Sequence, residues 1–509
     1  MVTLGDVVAA SGRLTGTRSR KAKTQALAAL LGAAGPDELG LVVGFLTGQL
    51  RQGRFGIGWS TLGSLDAQPA TTPELGVRDV DERLDQIAHT TGSGSAARRR
   101  ALLGGLLRRA TGDEQRFLVA LLTGDLRQGA LEGVMLDAVA AASEVPADVV
   151  RRAYMICGRL PDTAVAAMAG GVDALHAFRL ELGRPVRPML ASPADSLDDA
   201  LAELGAVSVE YKLDGARIQV HRDGDVVRVW TRTLREITAS VPELVELVRG
   251  LPCRTVVLDG ETLALTDDGR PRSFQDTMSR FGAESPRELL LRPFFFDCLQ
   301  LDGEDLLDAA LRDRLAALRT VAGEHLIASE RDPLRAPALL DAALAAGHEG
   351  VVVKSLDSPY AAGRRGRAWQ KVKPVHTLDL VVLAAEWGHG RRRGWLSNLH
   401  LGARDPDGGP PIMVGKTFKG LTDQLLTWQT GALQEIAQHT DQHVVHVRPE
   451  LVVEIELDGV QRSPRYPGGL ALRFARVVRY RPDKEPRDAD TIDAVRALVG
   501  GSSSTTHPR

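Results

Sequence analysis

A chain of 509 residues is long enough for about three domains, each with its own core. Hydrophobic and charged contents of 43% and 25% describe an ordinary globular protein, and a net charge of −2 excludes a polybasic molecule, so any nucleic-acid footprint must come from local clustering. Cysteines 157, 253 and 298 are too few and too scattered for a zinc module or a disulfide framework, and no signal peptide or membrane-length apolar run is present, so the expected location is the cytoplasm.

Residues 1 to about 186 read as helical. Apolar residues recur at helical spacing over Ala22 to Leu31, Leu41 to Leu50, Ala101 to Ala110 and Phe117 to Leu126, separated by Gly-, Ser- and Thr-rich breaks. The region repeats itself: LTGQLRQG at 46–53 returns 76 residues later as LTGDLRQG at 122–129, with seven identities in eight. Two copies of a helical unit follow, each ending at a glycine that can cap a helix or expose backbone amides. Arg51 and Arg127 then occupy matching places, either as phosphate contacts or as charges that complement a helix dipole.

From Arg187 to Pro374 short strand-like segments dominate, with helices expected near 239–249, 273–279 and 306–322. Val207, Val209, Tyr211 and Leu213 alternate with Ser208, Glu210, Lys212 and Asp214, the period of a half-buried strand with its polar set on one face. Asp214-Gly215 supplies a turn, and strands are expected at 218–221 and 226–230. A lysine fixed on a sheet beside such a turn can attack phosphorus once it loses its proton. That requires a shift of about three units, roughly 4 kcal/mol of help from cations or desolvation. Only nine of the 63 Lys and Arg residues are lysine, and Lys212, Lys354, Lys371, Lys373 and Lys484 all lie in patterned segments. Arginine cannot deprotonate, so a surviving lysine poses a chemical question that an arginine does not.

Beyond Pro374 a new set of strands is expected at 378–385, 395–401, 411–414 and 451–457, with one helix near 423–438. Five or so strands with a late helix suit a small Greek-key barrel of the OB type. Residues 500–509 read as a disordered Ser- and Thr-rich tail.

KLDGAR (212–217), TRTLREIT (231–238), LDGE (258–261), FFFDCLQLDG (294–303), EGVVVK (349–354), WQKVKP (369–374) and RYRPDKEP (479–486) stand in the order seen in ATP-dependent DNA ligases. The chain resembles a bacterial or archaeal-type member of that family over nearly its whole length. The resemblance implies a multidomain α+β protein: an all-α DNA-binding domain (1–186), a nucleotidyltransferase domain (187–374) and an OB-fold barrel (375–499). It implies ATP and Mg²⁺ as cofactors and nicked double-stranded DNA as the partner of a monomer. RNA ligases and guanylyltransferases share the motif core but have no obvious need of the helical repeat. A nick-binding protein without chemistry is expected to lack Lys212 or Glu349.

The resemblance makes Lys212 the nucleophile that takes AMP from ATP. Glu210 accepts from the adenine amino group, Arg217 and Arg232 lie near ribose and phosphates, and Glu261 contacts the ribose or helps hold the metal. Phe296 stacks on the adenine, or else belongs to a buried strand core. Glu349, at a strand mouth, is the second metal candidate, and Val352 shares the cleft face with Lys354. Lys371 and Lys373 face one way, where they bind the α-phosphate and disfavour protonated Lys212. One of Arg364, Arg365 and Arg367 contacts the nucleotide, with Arg365 matching the family arginine. Arg479, Arg481, Asp483 and Lys484 swing over ATP about a hinge at 373–377. Arg51, Arg127, Lys416 and the loop 388–394 are the DNA contacts; a solvated arginine loop is the other reading of the last.

Overall fold

The structure, a computed structural model, describes residues 1–53, 62, 65, 67–126, 131–266, 270–272, 277, 291–361 and 365–499, apart from the side chains of Leu131 and Arg365. The position of Arg127, the helix expected near 273–279 except for residue 277, and the tail at 500–509 lie outside the described residues.

The amino-terminal region consists of helices joined by irregular segments, with no named strand among its described residues, around one core that includes Leu4, Leu27, Phe45, Leu84 and Leu118. The two repeat units end alike. Helix Pro36–Thr47 stops at Gly48 (φ 69°) and helix Gly112–Thr123 at Gly124 (φ 72°), left-handed positions that favour glycine and close the last turn. Both helices therefore end about three residues before the expected boundary. Thr111 and Glu114 form a capping box at the start of the second, satisfying amides that a helix leaves unpaired.

The middle region holds strands β1 (Leu190–Pro193), β2 (Val207–Lys212), β3 (Ala216–Asp223), β4 (Val226–Thr231), β5 (Thr255–Ala264), β6 (Leu291–Leu301), β7 (Glu304–Asp305), β8 (Ser329–Glu330), β9 (Gly350–Ser355) and β10 (Arg365–Val372). They make two sheets, ordered β1-β10-β9-β2-β8 and β4-β3-β5-β6-β7. The Asp214-Gly215 turn thus hands the chain from one sheet to the other, and the turn to β4 is the true hairpin. Gly215 is required there because a Cβ would lie 2.4 Å from the Thr262 carbonyl oxygen. β2 is not half-buried either. Val207 and Val209 pack on helices Leu197–Leu204 and Ala336–Ala345, while Ser208 and Glu210 are also buried, facing the space between the sheets. Helices Pro242–Arg249 and Leu311–Val321 cover the second sheet.

The third region begins at β11 (His376–Trp387) and continues through β12 (Leu396–Ala403), β13 (Ile412–Thr417), helix Asp423–Glu435, β14 (Ala437–Asp441), β15 (Val444–Val447), β16 (Val452–Leu457), β17 (Gly459–Arg462), β18 (Leu470–Arg473) and β19 (Arg476–Tyr480). β11 pairs with β16 through its first half and with β15 through its second, which curls the sheet into the expected barrel. Among the described residues no helix is long and apolar enough to cross a membrane.

Candidate active site

One cavity opens between the two middle sheets, and the pattern of β2 explains its chemistry. Alternation sends Glu210 and Lys212 to the same side. Both line the cavity with Arg217 from β3, Arg232 just after β4, Glu261 from β5, Phe296 from β6, Val352 and Lys354 from β9, and Trp369 from β10.

Glu210 is fully buried, and its carboxylate meets the Lys354 ammonium at 2.5 Å and the Ser208 hydroxyl at 3.2 Å. Burial pushes the Glu210 carboxyl upward, and Lys354 opposes that shift. The Lys354 Nζ sits 4.3 Å from the Phe296 ring centre and 4.1 Å from that of Trp369, and donates to the Phe296 carbonyl at 3.3 Å. A buried ion pair therefore stands beside the aromatic wall. The Trp369 indole nitrogen is buried without a hydrogen-bond partner.

Arg217 is fixed by Asp259 at 2.6 and 3.0 Å, by the Met189 carbonyl at 2.6 Å and by the Tyr360 hydroxyl at 3.4 Å. Tyr360 in turn donates to Asp259 at 2.6 Å. Burial disfavours the guanidinium charge, but Asp259 and Tyr360 hold it firmly protonated. Burial raises the Glu261 carboxyl to about 8 against the pull of Arg217 and Lys212, which makes it largely neutral at pH 7.

The reacting end of the cavity is acidic. Lys212 donates to Glu349, which immediately precedes β9 and whose amide bonds the Lys212 carbonyl at 3.0 Å. Asp214 lies alongside. Burial works upward on its carboxyl, but hydrogen bonding and charge from Arg473 bring it below the ordinary range. Arg473, at the end of β18 in the barrel, reaches Asp214 at 2.9 Å and Glu349 at 3.7 Å. Lys371 is lowered by burial first and by the charges of Lys373 and Lys212 second, so these three ammonium groups share one field.

The other expected residues stand elsewhere. Lys373 pairs with Asp458 at the base of the barrel. Arg479 bonds Glu454 at 2.7 Å, while Arg481 and Lys484 both reach Asp379, at 3.1 and 2.5 Å, and Arg481 also holds Asp483 at 2.7 Å. β19 ends at Tyr480, so Arg481, Asp483 and Lys484 lie beyond the strand. Lys416 bonds Glu386 at 2.5 Å. Arg51 is paired with Asp81 at 2.7 Å and Asp85 at 3.3 Å, its side chain half exposed. Arg367 turns to Glu203, away from the cavity, and Arg364 lies outside the described residues.

Five residues of this site had no ligand role in the sequence reading: Lys354, Trp369, Asp259, Tyr360 and Arg473. Trp369 shares the parity of Lys371 and Lys373, and Lys354 that of Val352, so for these two the signal was present. Nothing in the spacing marks Arg473, because it arrives from another domain.

Three family models match in order: "DNA ligase N terminus" over residues 60–140, "ATP dependent DNA ligase domain" over 188–373 and "ATP dependent DNA ligase C terminal region" over 392–484. A "Probable DNA ligase" of Saccharopolyspora erythraea is 66% identical over 98% of both chains. One of Rhodococcus jostii is 68% identical over 97% of this chain and 99% of its own. The solved structure "Pmar-Lig_Pre." superposes with a TM-score of 0.62 over 94% of this chain and 99% of its own at 18% identity, which shows the shared fold.

Proposed function

The chain belongs to the ATP-dependent DNA ligase family, and from that premise we propose how its residues divide the sealing of a nick in duplex DNA. The observation that carries the assignment is the position of Lys212, on the same strand face as the buried Glu210 and in contact with Glu349. Lys212 Nζ loses its proton to solvent and attacks the α-phosphorus of ATP. The new N–P bond replaces the P–O bond to pyrophosphate, which leaves. The 5′-phosphate at the nick then takes the AMP and frees Lys212. Finally the 3′-hydroxyl attacks that phosphate and AMP departs.

Glu210 offers an acceptor and Lys354 a donor side by side, the complement of the amino and N1 groups on one edge of adenine. Phe296 and Val352 cover the base faces, with aromatic contact contributing about 0.5–1.5 kcal/mol beyond burial. A neutral Glu261 suits a ribose hydroxyl. Arg217, its guanidinium already oriented by Asp259, and Arg232 serve the phosphates, as do Lys371, Lys373 and the family arginine Arg365.

The donor set fits Mg²⁺. Glu349 and Asp214 offer hard oxygen ligands, and among the described residues no set of three His, Cys, Asp or Glu closes into a complete cage. An ion that keeps its waters and shares substrate phosphates suits such an open site. Bound there, it would neutralise triphosphate charge and weaken the hold of Glu349 on the Lys212 proton.

Arg479, Arg481, Asp483 and Lys484 orient the leaving pyrophosphate after the barrel turns about 373–377. With Arg473 rather than this segment at the cavity, the described orientation suits the DNA steps. Arg51 and Arg127 at the two repeat turns, with Lys416 and the loop 388–394, hold the duplex flanks. The protein works as a monomer in the cytoplasm.

The test is sealing of a singly nicked duplex with Mg²⁺ and either ATP or NAD. Sealing is expected with ATP only, and Lys212→Ala should lose at least about 10⁴-fold, as removal of a covalent nucleophile does. A wild-type protein that forms no lysyl-AMP from ATP would overturn the reading.

A further inference from the structure

Five of the chain's twelve histidines, at 389, 400, 439, 443 and 446, gather on one face of the barrel. Strand register explains why. Lys416 on β13 lies opposite His400 on β12, His400 opposite Ala384 on β11, Ala384 opposite His446 on β15, and His446 opposite His439 on β14. The row runs across five strands on the side away from the barrel core. The His439 and His446 rings stack with centres 4.4 Å apart and 5° between planes, and His443 and His389 lie 6.4 Å apart at one end.

The counter-charge is small. Glu386 on β11 already binds Lys416 at 2.5 Å, His400 at 2.9 Å and Asn398 at 2.7 Å, Asp379 at the far end of β11 is taken up by Arg481 and Lys484, and Asp441 lies on the exposed edge strand β14. Burial holds His400 below the ordinary histidine range in spite of Glu386. The turn between β11 and β12 carries Arg391, Arg392 and Arg393, and Arg392 bonds the Phe418 carbonyl. Phe418 and Phe474 are exposed, Lys419 covers Phe474 at 5.1 Å, and Phe474 follows Arg473, the residue that enters the active site. A run of basic and aromatic groups thus leads from Arg473, beyond the acidic pair Asp214 and Glu349, to the arginine turn 391–393. In OB barrels the outer face of the second and third strands and the loop between the first two are the surfaces that take nucleic acid.

We propose that His446 and His439, the edge-strand end of the row that begins at Lys416 and His400, bind the phosphate backbone of the duplex flanking the nick and tighten that grip as they take up protons. This deepens the ligase reading and rests on it. A histidine ordinarily titrates near pH 6.5, so its charge changes within the working range. A phosphate held by a newly charged imidazole also releases a counterion, adding about 0.9 to the slope of log K against log salt.

The experiment measures binding of a fluorescent nicked duplex to the full-length protein at pH 8 and pH 6 over a series of KCl concentrations. Wild type is expected to bind about tenfold tighter at pH 6 with a salt slope steeper by one to two, and His439→Gln/His446→Gln to tighten less than twofold. A wild-type affinity independent of pH would overturn the proposal, and needs no variant to fold. Equal tightening in the folded double variant, its fold checked by circular dichroism, would overturn it too. Failure of the ligase reading shows separately, as absence of lysyl-AMP from ATP.

Discussion

The nucleotide cavity and the carboxy-terminal segment 479–484 are both dense in charge, yet they store it differently. In the cavity, charges are paired before any ligand arrives: Glu210 with Lys354 and Arg217 with Asp259 in its buried part, and Lys212 with Glu349 nearer its mouth. In the segment, Arg479, Arg481 and Lys484 are neutralised by Glu454 and Asp379 of their own barrel. Desolvation has already been overcome in the first case, so a ligand meets a preorganised surface. In the second, Arg479 is largely exposed and Arg481 and Lys484 share the single carboxylate of Asp379, so these contacts can be exchanged when the barrel turns. A fixed site and a movable one are distinguished by how their charges are held, more than by which residues they contain.

Cross-comparison of barrel variants breaks or sharpens that contrast most strongly. Arg481→Ala should slow lysyl-AMP formation about 10–100-fold, the scale of a lost charge-assisted contact to phosphate, while sparing sealing of a nick already carrying AMP. Arg473→Ala should show the larger defect on the adenylylated nick, because Arg473 is the barrel residue that touches Asp214 in the described orientation. Equal defects of both variants in both assays would remove the distinction between fixed and movable charge.

The buried pair gives the next effect. Lys354→Ala leaves Glu210 buried without its cation, and breaking such a pair costs about 3–5 kcal/mol. Chemical denaturation should show that loss, and Glu210→Gln/Lys354→Met should regain most of it while forming lysyl-nucleotide with weaker preference for ATP over GTP. A double variant as unstable as the single one would mean that Lys354 acts through packing alone.

The smallest effect concerns pH. Burial alone would raise the Glu386 carboxyl, but bonds from Lys416, His400 and Asn398 hold it at about 2 against an ordinary 4.5. A depressed carboxylate contributes stability above its unfolded value and loses it as pH falls through its folded one, so this contribution fades between about pH 4.5 and 2. Thermal unfolding of wild type should weaken more steeply over that window than that of Glu386→Gln; parallel curves would discount the Glu386 network.

Local pattern carried a great deal. Alternation at 207–214 put Glu210 and Lys212 on one face, and the same parity placed Val352 with Lys354 and Lys371 with Lys373. The repeated LTGxLRQG marked two equivalent helix ends, though not that each helix stops at its first glycine. Periodicity and turn chemistry are properties of neighbours in the chain, so they survive without a partner surface.

What the sequence determined by itself was the order of regions, the helical repeat, the barrel, and the lysine with its strand-mates, because short-range sterics and side-chain period specify them. Only the tertiary structure decided that the Asp214-Gly215 turn crosses between sheets, that Lys354 neutralises Glu210, that Arg473 enters the site from the barrel, and that the segment 479–484 bonds Asp379 and Glu454 instead. Each of these is a contact between residues far apart in the chain. Such contacts depend on how separately folded layers are oriented, and no local spacing records that orientation.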